Sequence, residues 1–276
     1  MAIKEGYTFT VLGAGVMGSA VTSAMIKANV KPFPGKIYLC TQDSASVARL
    51  RENFPQEYIH VVADLEEKKK CVAESDVVLL GCKPFHYKGL YEEVRSSLSH
   101  KPLVISLLAG VTISQLTIFS PYIARVMTNT PAQFGCGMAT VAFSPEAEEK
   151  FKDEVLALAN TVGSAVEIAE KNMDAATALV GSGPAFCLLM MEALYDGGVR
   201  MGLPHDVAKL SAAKVMEGTA KMVLETGEHP AVLKSKVCTP GGTTIGGLLK
   251  MEDAGVRGAI SRAVEEAAVI SASFSK

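Results

Sequence analysis

Strands and helices alternate through roughly the first 165 residues of this chain, and after Glu170 the strands stop. Short β-branched runs at residues 8–12, 36–39, 58–61, 77–80, 103–107, 123–127, 138–143 and 165–168 read as strands. Amphipathic stretches at 16–28, 44–53, 64–74, 87–98 and 145–161 read as the helices between them. Such alternation builds βαβ units, hence a doubly wound, mostly parallel sheet covered on both faces. Beyond it, 172–200, 204–226, 240–252 and 254–273 all read as helices. The chain is therefore expected to be α/β, with a sheet domain over residues 1–168 and an all-α domain over 169–276. Gly181-Ser182-Gly183-Pro184 interrupts the first of the late helices, and should kink it or admit another backbone closely. Residues 175–191 are apolar on almost every side, so they should be buried on most sides. A helical segment of only about 105 residues with such a stretch is a natural place to bury surface against a second copy, which predicts a homodimer.

Charge and cysteine usage narrow the function. The net charge is −2 and the sequence pI about 6.2, with no basic face for nucleic acid or an anionic membrane. The expected ligand is a small molecule. Six cysteines and five histidines are scattered without metal-ligand spacing, so no metal is expected. Most of the cysteines lie in apolar runs and read as buried thiols of a reducing compartment. No signal-like segment follows Met1, which points to the cytoplasm. Residues 102–124 carry no charge, but Gly110, Gln115 and Pro121 make them strand, turn and short helix rather than a membrane span.

Gly13-Ala14-Gly15-Val16-Met17-Gly18 is G-x-G-x-x-G between a strand and a helix. Its first glycine makes the turn, its second admits a pyrophosphate, and its third packs helix on strand. This is the Rossmann pattern, and it assigns Leu12, Gly13, Ala14, Gly15, Val16, Met17 and Gly18 to a dinucleotide. The second strand ends Leu39-Cys40-Thr41-Gln42, with Asp43 already beyond it, so the acid that grips the ribose 2′-OH of NAD is missing. Hydroxyls and amides tolerate a 2′-phosphate, which predicts NADPH with NADH as second cofactor. Arg49 is either a helper to the phosphate or a solvated charge. Lys83, after the fourth strand, either touches cofactor phosphate or ribose or is a surface lysine. Asn129, after the sixth, either orients the nicotinamide amide or makes an Asx turn.

Thr239-Pro240-Gly241-Gly242-Thr243-Thr244 is a second glycine-rich site. With Thr239 as N-cap and Pro240 at the first helical position, it reads as a bare helix start open to a small anion. A tight helix–helix turn is the alternative.

Together these segments resemble the pyrroline-5-carboxylate reductase family over essentially the whole chain. The resemblance is carried by Gly13–Gly18, Lys83-Pro84, Ala109-Gly110-Val111-Thr112, Met127 to Pro131, Gly181 to Pro184, Asp196 to Val199, Met201 to Pro204 and, most specifically, Thr239 to Ile245. It implies NADPH-dependent reduction of 1-pyrroline-5-carboxylate to L-proline by an interlocked dimer, with larger rings such as a decamer built from dimers. It also implies that Thr41, Lys83, Ala109 and Asn129 contact the cofactor. Thr239, Gly241, Gly242, Thr243 and Thr244 would hold the substrate, and the Thr244 hydroxyl would meet the ring nitrogen. The glutamates around Glu225-Thr226-Gly227-Glu228-His229-Pro230 do not match the family register, so no acid is assigned there. The charged segment 58–70 likewise leaves no adenosine contact assigned near Asp64.

Two rivals stand beside this reading. A β-hydroxyacid dehydrogenase would place a catalytic lysine near the start of the first late helix, where Lys171 lies. A non-catalytic NADPH-binding dimer would need no bare glycine loop at all.

Overall fold

The computed structural model describes residues 3–42 and 44–274. Asp43 therefore lies outside the described residues. The chain divides into two compact units: one holds residues 1–182 and 266–276, the other residues 183–265.

The first unit is built on an eight-stranded sheet in the order β3-β2-β1-β4-β5-β6-β7-β8. The strands are β1 (Thr8–Leu12), β2 (Lys36–Cys40), β3 (Ile59–Val62), β4 (Val77–Leu80), β5 (Leu103–Ser106), β6 (Ile123–Met127), β7 (Gly137–Phe143) and β8 (Gly163–Glu167). All neighbours pair in parallel except β6 and β7. The eight expected strands are all present, with ends shifted by two residues at most. β4, β5 and β6 are buried at every position, as strands covered on both faces must be.

Two apolar layers follow from the alternation of side chains along the strands. One joins Phe9, Val11, Leu39 and Leu79 to α1 (Val16–Ala28) and α6 (Pro145–Asn160), through Met25 and Phe151 among others. The other joins Leu12, Val78 and Leu80 to α3 (Leu65–Ala73), α4 (Tyr87–Val94) and α5 (Ile113–Leu116), through Val72, Val94 and Leu116. α2 (Ser44–Asn53) links β2 to β3. Helix starts carry their own signals. Asp64 accepts from the Glu67 N–H at the start of α3, Ser144 accepts from the Ala147 N–H at α6, and Thr112 with Gln115 forms a capping box at α5.

The helix expected over 172–200 is broken. A 3₁₀ turn (Glu170–Asn172) leads into α7 (Met173–Ala176), then a π-helical turn (Thr177–Gly181), then α8 (Gly183–Arg200). Gly181 ends the π-helical turn close to β6, where a Cβ would lie 3.2 Å from the Met127 sulfur. By length and composition alone the stretch Glu170–Arg200 passes as a membrane span, since an 18-residue window within its 31 residues reaches a mean hydropathy of 1.5.

The second unit contains α8, α9 (His205–Thr226), α10 (Pro230–Val237), α11 (Thr243–Asp253) and the first half of α12 (Val256–Ser273). Gly227, at φ 65°, ends α9 where expected, whereas α10 was not anticipated. Of the run 175–191, Ala178 and Val180 are buried within the chain, and the α8 part is left open, as a face meant for a second copy would be. No residue of α8 is buried within the chain, and Leu188 and Leu189 are 61% and 66% exposed. The cysteine expectation is corrected: only Cys40 and Cys71 are buried, while Cys136 and Cys187 are exposed.

Candidate functional site

The sheet order reverses at β1, whose neighbours are β2 and β4, and ligands of open α/β sheets bind in the crevice at such a point. Two glycine loops touch there. Gly13, at φ 96°, would bring a Cβ to 2.6 Å from the Cys82 nitrogen, and a Cβ on Gly81 would lie 2.6 Å from the Gly13 oxygen. Only glycine allows this contact. Gly18 is packed against the same turn, where a Cβ would lie 2.8 Å from the Gly13 oxygen. Gly15, by contrast, faces open space.

A cleft of about 660 Å³ opens above this contact, the size of a typical ligand pocket. Leu12, Gly13, Ala14, Gly15, Val16 and Met17 line it, with Thr41, Lys83 and Ala109. α1 begins at Gly15 without a side-chain cap and without an acid in its first turn. The first helical N–H groups are thus left for an anion, at the positive end of the helix dipole. This construction fits a dinucleotide pyrophosphate.

Gly18 and Asn129 do not line the cleft. Gly18 lies behind the turn, and the Asn129 Oδ1 accepts from the Met138 N–H, tying the end of β6 to β7. Arg49 is exposed on α2 and does not line it either. Asp64 is occupied as the α3 cap.

Sequence reasoning missed two charged residues that do line the cleft, Lys68 on α3 and Glu93 on α4. The Lys68 ammonium donates to Glu93 Oε2 at 2.7 Å, and its side chain is only 7% exposed. Lys68 sits in a run of three lysines, and only the phase of the helix turns this one inward. Burial pushes the nearby Cys40 thiol up to about 12, an effect Cys71 adds to and Lys68 opposes. Burial likewise holds the Cys82 thiol up to about 11, so both thiols on this cleft stay protonated at neutral pH.

The second glycine site, in the helical unit, differs from its expected form. Thr239 is not the N-cap and Pro240 is not the first helical residue. The Gly242 N–H donates to the Thr239 carbonyl at 3.0 Å and Gly241 has φ 68°, which closes a type II turn over Thr239–Gly242. Proline and glycine at the two central positions of that turn are the reason. α11 then starts with Gly242 as N-cap and no side-chain cap. Gly242 must lack a side chain, because a Cβ would lie 2.3 Å from the Thr239 hydroxyl. Both readings of the motif hold, a tight turn followed by a bare helix start. The N–H groups of Thr243, Thr244 and Ile245 have no partner among the described residues. Thr244 is half-buried and Thr243 exposed.

Lys171 is exposed in the Glu170–Asn172 turn. Glu228 is occupied by Lys236 at 2.6 Å. Among the described residues no three metal-ligating side chains converge.

The reversal crevice, the glycine turn and the uncapped helix start define a nicotinamide-dinucleotide oxidoreductase. Residues 8–110 match the family model described as NADP oxidoreductase, coenzyme F420-dependent. Residues 170–273 match the model for pyrroline-5-carboxylate reductase dimerisation. The chain is 45% identical to the pyrroline-5-carboxylate reductase of Kluyveromyces lactis, over 96% of each chain. It belongs to the pyrroline-5-carboxylate reductase family. Among solved structures it resembles the pyrroline carboxylate reductase of Plasmodium falciparum, which carries bound NADP, at 25% identity and a TM-score of 0.86 over 99% of this chain and 100% of that one. The Coxiella burnetii pyrroline-5-carboxylate reductase aligns over the same shares at 27% identity and a TM-score of 0.84. These matches leave the dehydrogenase rival built on Lys171 without support.

Proposed function

We propose that this protein reduces 1-pyrroline-5-carboxylate to L-proline with NADPH, and with NADH as second cofactor, the last step of proline biosynthesis. The observation that carries the reading is the Thr239–Thr244 loop within a chain of this family. It opens a helix start without a side-chain cap, where the N–H groups of Thr243, Thr244 and the following Ile245 have no partner among the described residues. The substrate has a carboxylate and a C=N bond, and the loop suits both. The N–H groups of Thr243, Thr244 and Ile245 hold the carboxylate, helped by the helix dipole. Thr239, Gly241 and Gly242 shape the turn that keeps this end bare. The Thr244 hydroxyl hydrogen-bonds the ring nitrogen and fixes the imine for attack.

In the cleft, Gly13, Ala14 and Gly15 with the first N–H groups of α1 hold the pyrophosphate. Leu12, Val16 and Met17 wall it, Gly18 keeps α1 against the sheet, and Thr41, Lys83 and Ala109 take the flanking sugars and phosphates. Asn129 orders the β6 end near the nicotinamide. The bound cofactor supplies the hydride that reduces the imine carbon. An imine protonated in solution is already a good hydride acceptor, so Thr244 needs only to hold the nitrogen and no strong general acid is required. The exposed apolar face of α8 is covered by a second copy, making a homodimer that assembles into rings such as a decamer. Six unpaired cysteines suit a reducing, cytoplasmic setting.

The test is consumption of NADPH with pyrroline-5-carboxylate, beside NADH and beside a 3-hydroxy acid run in the oxidative direction. Turnover of the pyrroline is expected. Turnover of the hydroxy acid alone, lost in Lys171→Ala, would replace this reading.

A further inference from the structure

The cofactor's adenosine end has a buried charge pair with no place in the chemistry above. With the pyrophosphate at the α1 start, the adenosine ribose reaches the end of β2, where the cleft is lined by Thr41, Gln42 and Ser46. None of those three side chains carries a charge, yet a 2′-phosphate is close to dianionic. The cleft's two lysines are Lys68 and Lys83. Lys83 is exposed and follows β4. Lys68 comes from α3, whose Cys71 and Val72 pack in one apolar cluster with Cys40, the last residue of β2. It is therefore the lysine on the ribose side.

Its surroundings suit a phosphate. The residue is 6% exposed, and its ammonium lies 2.7 Å from the Glu93 carboxylate, the kind of partner a buried cation needs. An ammonium has three N–H donors, and Glu93 is the hydrogen-bond partner of Lys68 among the described residues. Donors therefore remain on a side chain that lines the cleft. The Glu93 side chain is 33% exposed, so water can solvate its carboxylate when Lys68 turns to another anion.

We propose that Lys68, paired with Glu93, donates to the 2′-phosphate and is the residue that selects NADPH over NADH. This rests on the reading that the cleft takes NADPH.

Fragment binding tests it without turnover. Calorimetric titration of the full chain with 2′,5′-ADP and with 5′-AMP separates the 2′-phosphate from the rest of the nucleotide. Lys68→Met should weaken 2′,5′-ADP by about 10- to 100-fold, the worth of one charged hydrogen bond. It should weaken 5′-AMP far less, and Lys68→Arg should restore most of the 2′,5′-ADP affinity. In steady-state assays KM for NADPH should rise much more than KM for NADH. Equal weakening of both fragments, or of neither, overturns the proposal. If Lys68→Met does not fold, as judged by thermal melting, Lys68→Gln removes the charge while keeping a donor beside Glu93 and carries the same comparison. Failure of the wild type to bind either fragment overturns the cofactor reading itself, whereas a wild type that binds and a variant that does not discriminate remove only Lys68.

Discussion

Thr244 contributes two groups to the proposed chemistry, its backbone N–H and its hydroxyl. Thr244→Ala keeps the first and loses the second, so kcat should fall ~10- to 100-fold while carboxylate binding largely survives. Steady-state kinetics with pyrroline-5-carboxylate check this, and an unchanged kcat/KM would remove the hydroxyl from the mechanism. Gly13→Ala meets two obstacles, a φ of 96° and a 2.6 Å approach to the Cys82 nitrogen. The backbone conformation alone costs ~1–2 kcal/mol. A lower melting temperature and loss of the change in NADPH fluorescence on binding are expected together. The buried thiol of Cys40 gives a pH prediction. Its folded pKa is raised from 9.0 to about 12, mainly by burial, so its contribution is complete below the unfolded value and fades as pH rises between the two. Melting temperature should therefore fall from pH 9 toward pH 12, and Cys40→Ala should flatten that fall. At this scale the sequence was legible where geometry demands one residue type, as at Gly13 and Gly18. It was opaque at Lys68, whose neighbours Lys69 and Lys70 are the same letter and differ only in which way the helix turns them.

Elements were read correctly wherever period and end signals agreed. α1 and α2 begin and end as expected, and α3 is the expected segment less its two cap residues, Asp64 and Glu74. The reading slipped where one motif serves two local structures. Thr-Pro-Gly-Gly satisfies a helix N-cap and a type II turn alike, and the observed chain makes the turn first, moving the helix start from Pro240 to Thr243. α10 was missed because its eight residues bury only Leu233, too little to show a period. The last turn of α12 makes a prediction of its own. It lies against Gly110, where a Cβ would meet the Phe274 Cβ and the Ser271 carbonyl at 2.6 Å, and the Ser271 hydroxyl donates to Asp174 Oδ1 at 2.7 Å. Gly110→Ala should push this turn away and disturb the neighbouring Ala109, which lines the cleft. A raised KM for NADPH alongside a lower melting temperature is the expected result, and an unchanged KM would uncouple the two.

For the molecule as a whole, the exposed leucines of α8 carry the expectation of a dimer. Leu188→Asp with Leu189→Asp should shift sedimentation toward the monomer and cut activity with it. Unchanged sedimentation would leave that face without a second copy. The sheet and its order were readable from local periodicity because each strand's burial is set by its own neighbours in sequence. How much of α8 lies open within one chain was not, because burial by another chain leaves the same apolar letters as burial in a core.

The grouping of residues 266–276 with the sheet unit bears on where this chain can be cut. The helical segment is an excursion that leaves the first unit after Ser182 and rejoins it at Glu266, so both its ends are moored to the same body. A recombinant piece that starts at the sheet boundary and runs to the C-terminus would carry off the turn that packs on Gly110. A sheet piece trimmed there would be left with an uncovered loop beside Ala109.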